Sequence, residues 1–322
     1  MPVDIDSWAA QIRAGDIRAI SRAITAIEDR ASESEELLKR IFPHTGRAYV
    51  LGVTGAPGTG KSTLVDRLAT LYRRGGDAVG IVAVDPTSPY TGGAILGDRI
   101  RMQGHASDAG IFIRSMATRG SLGGLARTTG DAVLVLDAAG TKYVLVETVG
   151  VGQDEVDIVR LADCTSVLLV PGLGDDVQSM KAGLMEIADI FVLNKSDREG
   201  ADRLEAELHA MLELAPGRNG WKPRIVRTVA TENKGVDDVA VAITEYRNHF
   251  DRSSEREVNK IEHWKRRLLA LAQESFLERA ISGAEGQAAL DSLAQDVASR
   301  KKDPYTAVRE LLARAEPSRA TR

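Results

Sequence analysis

The residues best suited to chemistry in this sequence form the run GAPGTGKST, at residues 55–63. The run matches G-x-x-x-x-G-K-[ST], a pattern whose glycines let backbone N–H groups turn toward phosphate oxygens. It lies between the apolar run YVLGVT and the amphipathic stretch TLVDRLATLYRR, so the N-terminus of a helix would face the same negative charge. We expect Lys61 to reach the β- and γ-phosphates of a nucleotide and the Ser62 hydroxyl to bind Mg²⁺. The predicted phosphate-binding residues are Gly55, Ala56, Pro57, Gly58, Thr59, Gly60, Lys61, Ser62 and Thr63.

A second polar turn, NKSD at residues 194–197, follows the apolar run DIFVL. Guanine presents its N1–H and N2–H₂ donors side by side, and the Asp197 carboxylate can accept both, whereas adenine has no such pair of donors. We expect the Lys195 stem to lie along the base plane, and the TVAT segment at 228–231 could supply the Ala230 N–H to guanine O6. Each string alone is compatible with a polar turn, but after a phosphate loop they predict a site for GTP or GDP. The predicted base-side contacts are Asn194, Lys195, Asp197, Val229, Ala230 and Thr231.

An acidic residue ends the apolar run YVLV, and the turn that follows it is rich in glycine. In P-loop nucleotidases an acid at this place holds Mg²⁺ directly or through water, which is the role we predict for Glu147. Gly150 would offer a backbone N–H to the γ-phosphate and act as a hinge. Ras-like proteins place a water-orienting glutamine next, but here that residue is Val151 and the first glutamine is Gln153. We therefore expect slow intrinsic hydrolysis.

Two further acids are candidates for the metal site. Asp85 ends the run GIVAVD and opens a loop rich in proline and glycine, and Asp98 lies close to Arg99 and Arg101. Asp98 could hold Mg²⁺ or orient water, and the arginines could stabilise charge on the γ-phosphate. The alternative for these three residues is a solvated helix face. The predicted catalytic residues are Lys61, Asp98 and Glu147, and the predicted metal ligands are Ser62, Asp85, Asp98 and Glu147.

The elements that must position these residues alternate between strands and helices over residues 47–250. Short β-branched runs recur, most of them separated by helical stretches, and their apolar character suits strands that are covered on both faces. The pattern predicts an α/β fold, a P-loop GTPase domain with a mostly parallel sheet flanked by helices. The strand order does not follow from the pattern.

Helical extensions are predicted on both sides of this domain. Residues 1–46 form a helical arm with an apolar stripe of Ile17, Ile20, Ile24 and Ile27, and the spacing of Ser32 and Glu35 suits a capping box. Residues 251–322 form a helical tail that carries a large apolar stripe, and the pair Asp303–Pro304 predicts the start of its last helix.

Composition and charge exclude several classes of function. The 322 residues are 43% hydrophobic and 27% charged with a formal net charge of -4, so we expect no general affinity for nucleic acid or an anionic membrane. No run approaches the length of a transmembrane helix, and the N-terminal residues do not suit a signal peptide, which favours a cytoplasmic location. The single cysteine, Cys164, excludes an internal disulfide and lies in an apolar run, where a core thiol is expected.

Six segments together resemble the MeaB/ArgK/MMAA GTPases, chaperones of adenosylcobalamin-dependent methylmalonyl-CoA mutase. The segments are GAPGTGKST, VDPTSPYTGGAILGDRIRM, FIRSMATRGSLGGLA, ETVGVGQDEVD, PGLGDDVQSMKAGLMEIADIFVLNKSD and, in the tail, DPYTAVRELL. The resemblance implies a homodimeric G protein that gates cofactor loading and the protection or rescue of an adenosylcobalamin-dependent acyl-CoA mutase. It implies dimerisation through the tail and Mg²⁺ held by Ser62 with the three acids. It also implies a third switch at 175–183, with Asp175, Asp176, Gln178 and Lys181 sensing the partner.

Two other functions remain as alternatives. A nickel-type metallochaperone GTPase would carry a Cys/His metal site, but this sequence has one cysteine and five histidines scattered without ligand spacing. A kinase-like ATPase, the function implied by the family's older lysine/arginine/ornithine transport label, would need an acceptor base that the sequence does not identify.

Overall fold

A computed structural model describes residues 4–85, 108–117, 124–148, 161–172, 187–214, 220–251, 255–281 and 283–315. The chain separates into two compact units, Met1–Ser254 and Glu255–Arg322. The first unit contains the phosphate and base motifs, and the second is formed by the C-terminal helices.

The first unit is built on a sheet whose described strands all run parallel in the order β3-β2-β4-β1-β5-β6-β7. The strands are β1 (Tyr49–Thr54), β2 (Val79–Asp85), β3 (Ile111–Ala117), β4 (Tyr143–Glu147), β5 (Cys164–Leu169), β6 (Ile190–Leu193) and β7 (Arg224–Arg227). The predicted α/β fold with a parallel sheet is confirmed. Because parallel strands all end at one edge, the residues that follow β1, β4 and β6 lie at the same edge of the sheet.

Helices cover both faces of this sheet. In the first unit they are α1 (Ile5–Arg13), α2 (Ile17–Glu28), α3 (Ser34–Ile41), α4 (Lys61–Arg74), α5 (Gly124–Ala138), α6 (Ala201–Leu214) and α7 (Val236–Asp251). Along β1, Val50 packs with α1, α2 and α5, whereas Leu51 and Val53 pack with α4 and α7 on the other face. Neighbouring strand residues point to opposite faces, so one short apolar strand serves two cores.

The N-terminal helices form part of the sheet's core. Ile20, Ile24 and Ile27 of the predicted stripe are buried together with residues of β2 and α5, whereas Ile17 is 48% exposed. Asp16 caps α2 by accepting a hydrogen bond from the Ala19 N–H at 2.8 Å. The helices predicted as an arm therefore share a hydrophobic core with the sheet.

The predicted capping box at Ser32 and Glu35 is wrong. Helix α3 begins at Ser34, and its N-cap residue, Glu33, makes no side-chain capping bond. The Ser32 hydroxyl donates to the Glu33 carboxylate and the Ser34 hydroxyl donates to Ala31 O. Short polar side chains here bond to nearby acceptors, an alternative to capping that spacing does not reveal.

The second unit contains the helices α8 (Glu255–Ile281), α9 (Gly283–Ala298) and α10 (Pro304–Ala315), which pack on one another. The predicted start of the last helix is confirmed, since the Asp303 carboxylate accepts bonds at 3.0 Å from the N–H groups of Tyr305 and Thr306. These bonds and one from the Thr306 side chain, the largest cause, lower the pKa of Asp303. Several large apolar side chains of α8 are exposed, namely Val258, Ile261, Leu268, Leu269, Phe276 and Leu277.

Two smaller expectations concern the single cysteine and the membrane. Cys164 is fully buried at the start of β5, and burial raises the pKa of its thiol, as expected of a thiol in the core. Among the described helices, none combines the length and apolar character that a membrane crossing requires.

Candidate functional site

The predicted phosphate loop connects the end of β1 to the start of α4. Gly55 and Gly60 both have a positive φ, of 140° and 96°. A Cβ added at Gly55 would lie 2.4 Å from Leu168 O, and one at Gly60 would lie 2.4 Å from the Asn194 amide nitrogen. The loop therefore needs glycine at these two positions both for its backbone conformation and for its close approach to the neighbouring strand ends.

Lys61 is the first residue of α4 and is only 6% exposed. Its Nζ donates to Gly55 O at 2.7 Å and to Ala56 O at 3.1 Å, so the ammonium is held against the loop. A cation with little access to water attracts an incoming phosphate more strongly than an exposed one would. The N-terminus of α4 adds its partial positive charge at the same place.

Ser62 and Glu147 lie together although 85 positions separate them in the chain. The sheet order explains this, because β4 pairs with β1 and Glu147 lies opposite Val53. The Ser62 hydroxyl donates to Glu147 Oε1 at 2.6 Å, and the Glu147 side chain is buried. A hydroxyl and a carboxylate are oxygen ligands of the kind that Mg²⁺ prefers, so the donor set fits that ion. These two residues could hold Mg²⁺ beside the phosphate loop.

The turn after β4 is fixed to the end of β1. The Thr148 hydroxyl donates to the Thr54 hydroxyl at 2.9 Å, and the Thr148 N–H donates to Val53 O at 3.1 Å. These bonds hold the backbone beside Glu147, and they connect the predicted metal ligand to the strand that carries the phosphate loop.

Of the other predicted metal ligands, Asp85 ends β2, the strand next to β4, so its backbone lies at the same edge of the sheet as Glu147. Asp98 and its two arginines lie outside the described residues, as do Gly150, Gln153 and the predicted third switch at 175–183. Within the described ranges, no three side chains of His, Cys, Asp or Glu gather as a metal-binding group.

Asn194 connects the base motif to two other loops. It follows β6, and its side chain is buried. Its Nδ2 donates to Thr59 O in the phosphate loop at 2.8 Å, while its Oδ1 accepts bonds from the Thr228 hydroxyl at 3.0 Å and the Ala230 N–H at 3.1 Å. The sequence identified Asn194 as a site residue, but it did not reveal these bonds because they depend on the strand order.

The Ala230 N–H, predicted to contact guanine O6, already donates to Asn194 Oδ1. An N–H can be shared between two acceptors in a three-centre bond. Guanine O6 could therefore be a second acceptor of the same N–H, next to the asparagine. The turn that contains Ala230 is a short 3₁₀ helix, Ala230–Glu232.

The rest of the NKSD turn is fixed to the phosphate loop and the base turn. Lys195 has a φ of 54°, and its Nζ donates to Gly58 O at 2.7 Å. Both the N–H and the hydroxyl of Ser196 donate to Thr228 O at 3.1 Å. The Asp197 carboxylate is exposed, as a group that must meet a ligand from solvent needs to be. Nearby, the hydrogen bond that the Lys234 ammonium donates to the Glu232 carboxylate is the largest cause that raises the pKa of Lys234, and the charge of Asp197 adds to it.

One residue at this site was missed by reasoning from the sequence. Arg67 lies on α4, where the pattern predicted only an amphipathic helix, and its Nε donates to Ala230 O at 3.3 Å. Its Nη2 donates to Thr231 O at 3.4 Å. No sequence motif includes this arginine, since its partners come from a turn that is 163 positions away.

Comparison with known proteins gives a consistent result. The family model described as methylmalonyl Co-A mutase-associated GTPase MeaB matches residues 20–285. A Pyrococcus abyssi protein with a provisional GTPase name is 48% identical over 96% of both chains. The GTPase ArgK of Escherichia coli is 39% identical over 74% of both chains.

A mammalian relative and a solved structure are also similar. The mitochondrial methylmalonic aciduria type A homolog of Mus musculus is 32% identical, over 82% of this chain and 68% of its own length. The crystal structure of a LAO/AO transport system kinase superposes with a TM-score of 0.72 at 27% identity, covering 97% of this chain and 98% of that one.

Proposed function

Because this chain belongs to the MeaB family of methylmalonyl-CoA mutase-associated GTPases, and so is a GTP-binding protein, we propose that it hydrolyses GTP to gate the loading and protection of an acyl-CoA mutase. The mutase in question is one that uses adenosylcobalamin. The observation that carries the proposal is the buried Asn194 side chain, which connects the phosphate loop to the turn at Ala230. Phosphate and base motifs joined in this way suit one guanine nucleotide bound across both.

The proposed chemistry assigns a role to each group of the phosphate, base and metal motifs. Lys61 and the backbone N–H groups of the loop bind the β- and γ-phosphates, and Asp197 binds the guanine edge. Ser62 and Glu147 hold Mg²⁺, with Asp85 and Asp98 as further proposed ligands. When bound, Mg²⁺ neutralises charge that develops on the transferring phosphoryl group. With Gln153 displaced from the Ras-like position, hydrolysis by the chain alone is proposed to be slow.

A test of the metal site is the substitution Glu147→Gln, which keeps the size of the side chain and an oxygen that can accept from Ser62. Losing the negative charge is expected to raise the Mg²⁺ concentration for half-maximal hydrolysis by about 10- to 100-fold. Binding of GDP without Mg²⁺ should be nearly unchanged. Steady-state phosphate release, titrated with Mg²⁺, measures the effect.

The matched control for this substitution is Glu207→Gln on α6, where the carboxylate pairs with Arg203 on an exposed helix face. That variant should keep the parental Mg²⁺ dependence. If Glu147→Gln also kept it, Glu147 would be a buried strand-end acid and no metal ligand.

The exposed apolar face of α8 supports the proposed homodimer. Val258, Ile261, Leu268 and Phe276 recur along one side of the helix, and each is more than half exposed. Contiguous apolar surface of this kind marks a contact site, and a second copy of the chain presents the same surface. We propose that two chains associate through these helices.

The proposed partner is an adenosylcobalamin-dependent acyl-CoA mutase, and the proposed sensor of that partner is the third switch at 175–183. That assignment rests on the family relation alone. If the switch differs between GDP and GTP states, mutase binding should raise the rate of GTP hydrolysis. By linkage, the mutase should change nucleotide affinity by the same factor by which the nucleotide changes mutase affinity.

One experiment addresses both the partner and the dimer. Light scattering after size-exclusion chromatography should give a mass of two 34.6 kDa chains for the protein alone and a larger complex with the cognate mutase. In the same samples, the mutase should raise the hydrolysis rate by at least about tenfold, which corresponds to lowering the activation barrier by roughly 1.4 kcal/mol. Gln178→Ala and Lys181→Ala should reduce this acceleration while GTP affinity stays nearly parental.

Two results would contradict the proposed dimer and the proposed partner. A mass of one chain would contradict the dimer. The partner and the third switch would be contradicted if no candidate acyl-CoA mutase raised the hydrolysis rate and both switch variants hydrolysed GTP at the parental rate. GTP binding would then be the part of the proposal that remains.

A further inference from the structure

Arg67 connects α4, which begins at the phosphate loop, to the turn Ala230–Glu232, which is predicted to contact the base. It lies on α4, six positions after Lys61, and it is partly buried. Its guanidinium donates through two nitrogens to two successive carbonyls, Ala230 O at 3.3 Å and Thr231 O at 3.4 Å. An arginine that uses two donors of its planar group fixes the orientation of its partners as well as their position.

The turn that receives these bonds is held from two sides. Asn194 Oδ1 accepts the Ala230 N–H, while Arg67 and the Asn233 N–H donate to Ala230 O. Ala230 itself is 2% exposed. Bonds at its N–H and at its carbonyl restrain Ala230 on both sides of its Cα, so Asn194 and Arg67 together fix the orientation of this residue.

An arginine on a helix surface is often only a solvated charge, and such a residue would have no effect on ligand choice. Arg67 differs because its guanidinium donates to two carbonyls of the turn whose Ala230 N–H is predicted to contact guanine O6. Arg73, on the same helix, pairs with Asp108 in an ordinary ion pair at 2.9 Å. The contrast indicates a role for Arg67 at the base.

We propose that Arg67 is a positioning residue for base recognition: by holding the Ala230–Thr231 carbonyls it aims the Ala230 N–H at the 6-oxo group of the purine. The inference deepens the proposed function and rests on its premise of guanine nucleotide binding. The ligand class is a 6-oxopurine nucleotide, and the property set by Arg67 is preference for that oxygen over a purine that lacks it.

The test compares GDP with 2-aminopurine riboside 5′-diphosphate, which keeps the 2-amino group but has neither the oxygen at position 6 nor the N1–H. Because the missing N1–H affects the parent and the Arg67 variants alike, the change in affinity from parent to variant is compared for each nucleotide. In Arg67→Met the stem remains and the donors are lost. Affinity for GDP should fall about tenfold, the loss of roughly one hydrogen bond, while affinity for the 2-aminopurine nucleotide should change less than about twofold. Calorimetric titration of both nucleotides gives the ratio of their two dissociation constants.

Two further variants serve as a partial rescue and as a control. Arg67→Lys keeps a charged donor and should recover part of the parental ratio, which a merely structural role would not produce. Arg74→Ala, an exposed arginine in the last turn of the same helix, should leave the ratio at the parental value.

The outcomes separate this inference from its premise. A parental ratio of the two affinities in Arg67→Met, whether both are unchanged or both fall equally, would overturn the positioning role while the proposed function stands. A parent protein that binds ADP as tightly as GDP would overturn guanine recognition itself.

Discussion

Lys61→Ala is expected to lower the affinity for GTP by at least about 100-fold and to abolish measurable hydrolysis, because one charged donor at transferring phosphates contributes about 10²- to 10³-fold. Lys61 is nearly buried, and its ammonium is held by Gly55 O and Ala56 O within the phosphate loop. Alanine supplies neither the charge nor the hydrogen-bond donor at this position. Calorimetry with a non-hydrolysable GTP analogue and single-turnover phosphate release measure the two losses.

The control for this substitution is Lys142→Ala. Lys142 precedes β4, at the opposite end of the sheet from the phosphate loop, and pairs with Asp77 at 2.8 Å. Removing it deletes a lysine and an ion pair but should leave nucleotide affinity unchanged. Thermal unfolding of both variants tests whether the fold is retained. A folded Lys61→Ala protein that binds and hydrolyses GTP at parental rates would remove the phosphate-loop assignment.

Asp197→Asn is expected to reverse the choice of base, with GTP affinity falling by about 100-fold or more and xanthosine triphosphate becoming the preferred ligand. A site that pairs with two donors of its ligand discriminates strongly, since the wrong group leaves buried polar atoms unpaired. Xanthine has a C2 oxygen where guanine has an amino group, and the amide of asparagine can donate to it. Competition binding with GTP, xanthosine triphosphate and ATP measures the order of preference.

The same chemical change at Asp202 provides the control. Asp202 lies in the first turn of α6, the helix after the NKSD turn, is exposed, and pairs with Arg227 at 2.6 Å. Asp202→Asn should keep the parental preference for GTP. If the parent protein failed to distinguish GTP from ATP, or if Asp197→Asn left the order unchanged, Asp197 would not read the base.

The sequence allowed the fold class and the local motifs to be predicted, because both depend on short-range pattern. Recurrent β-branched runs between helices are enough for a parallel α/β sheet, and the phosphate loop lies between its strand and helix as expected. The strand order could not be predicted, and it decides which distant residues meet. Ser62 and Glu147 are bonded only because β4 is the neighbour of β1.

The contacts that sequence reasoning missed share this cause. Arg67 lies in a stretch whose pattern indicates no more than a helix, and the bonds of Asn194 to Thr59 and Ala230 require three loops to meet at one edge. Side-chain bonds within a few positions were also unpredictable where several partners compete, as at Ser32, whose hydroxyl bonds to its neighbour Glu33.

The sheet order also has a consequence for how the protein is made. β1 is synthesised before both of its neighbours, since it pairs with β4 and β5, and Cys164 follows Thr54 by about 110 residues. At a synthesis rate of roughly 5–20 residues per second, β1 lacks its second neighbour, β5, for on the order of 5–20 s. The apolar stripe of α2 likewise cannot be buried against α5 until α5 has been synthesised. Until Asn194 emerges, a nascent chain lacks both the predicted base motif and the side chain that bonds to Thr59 of the phosphate loop.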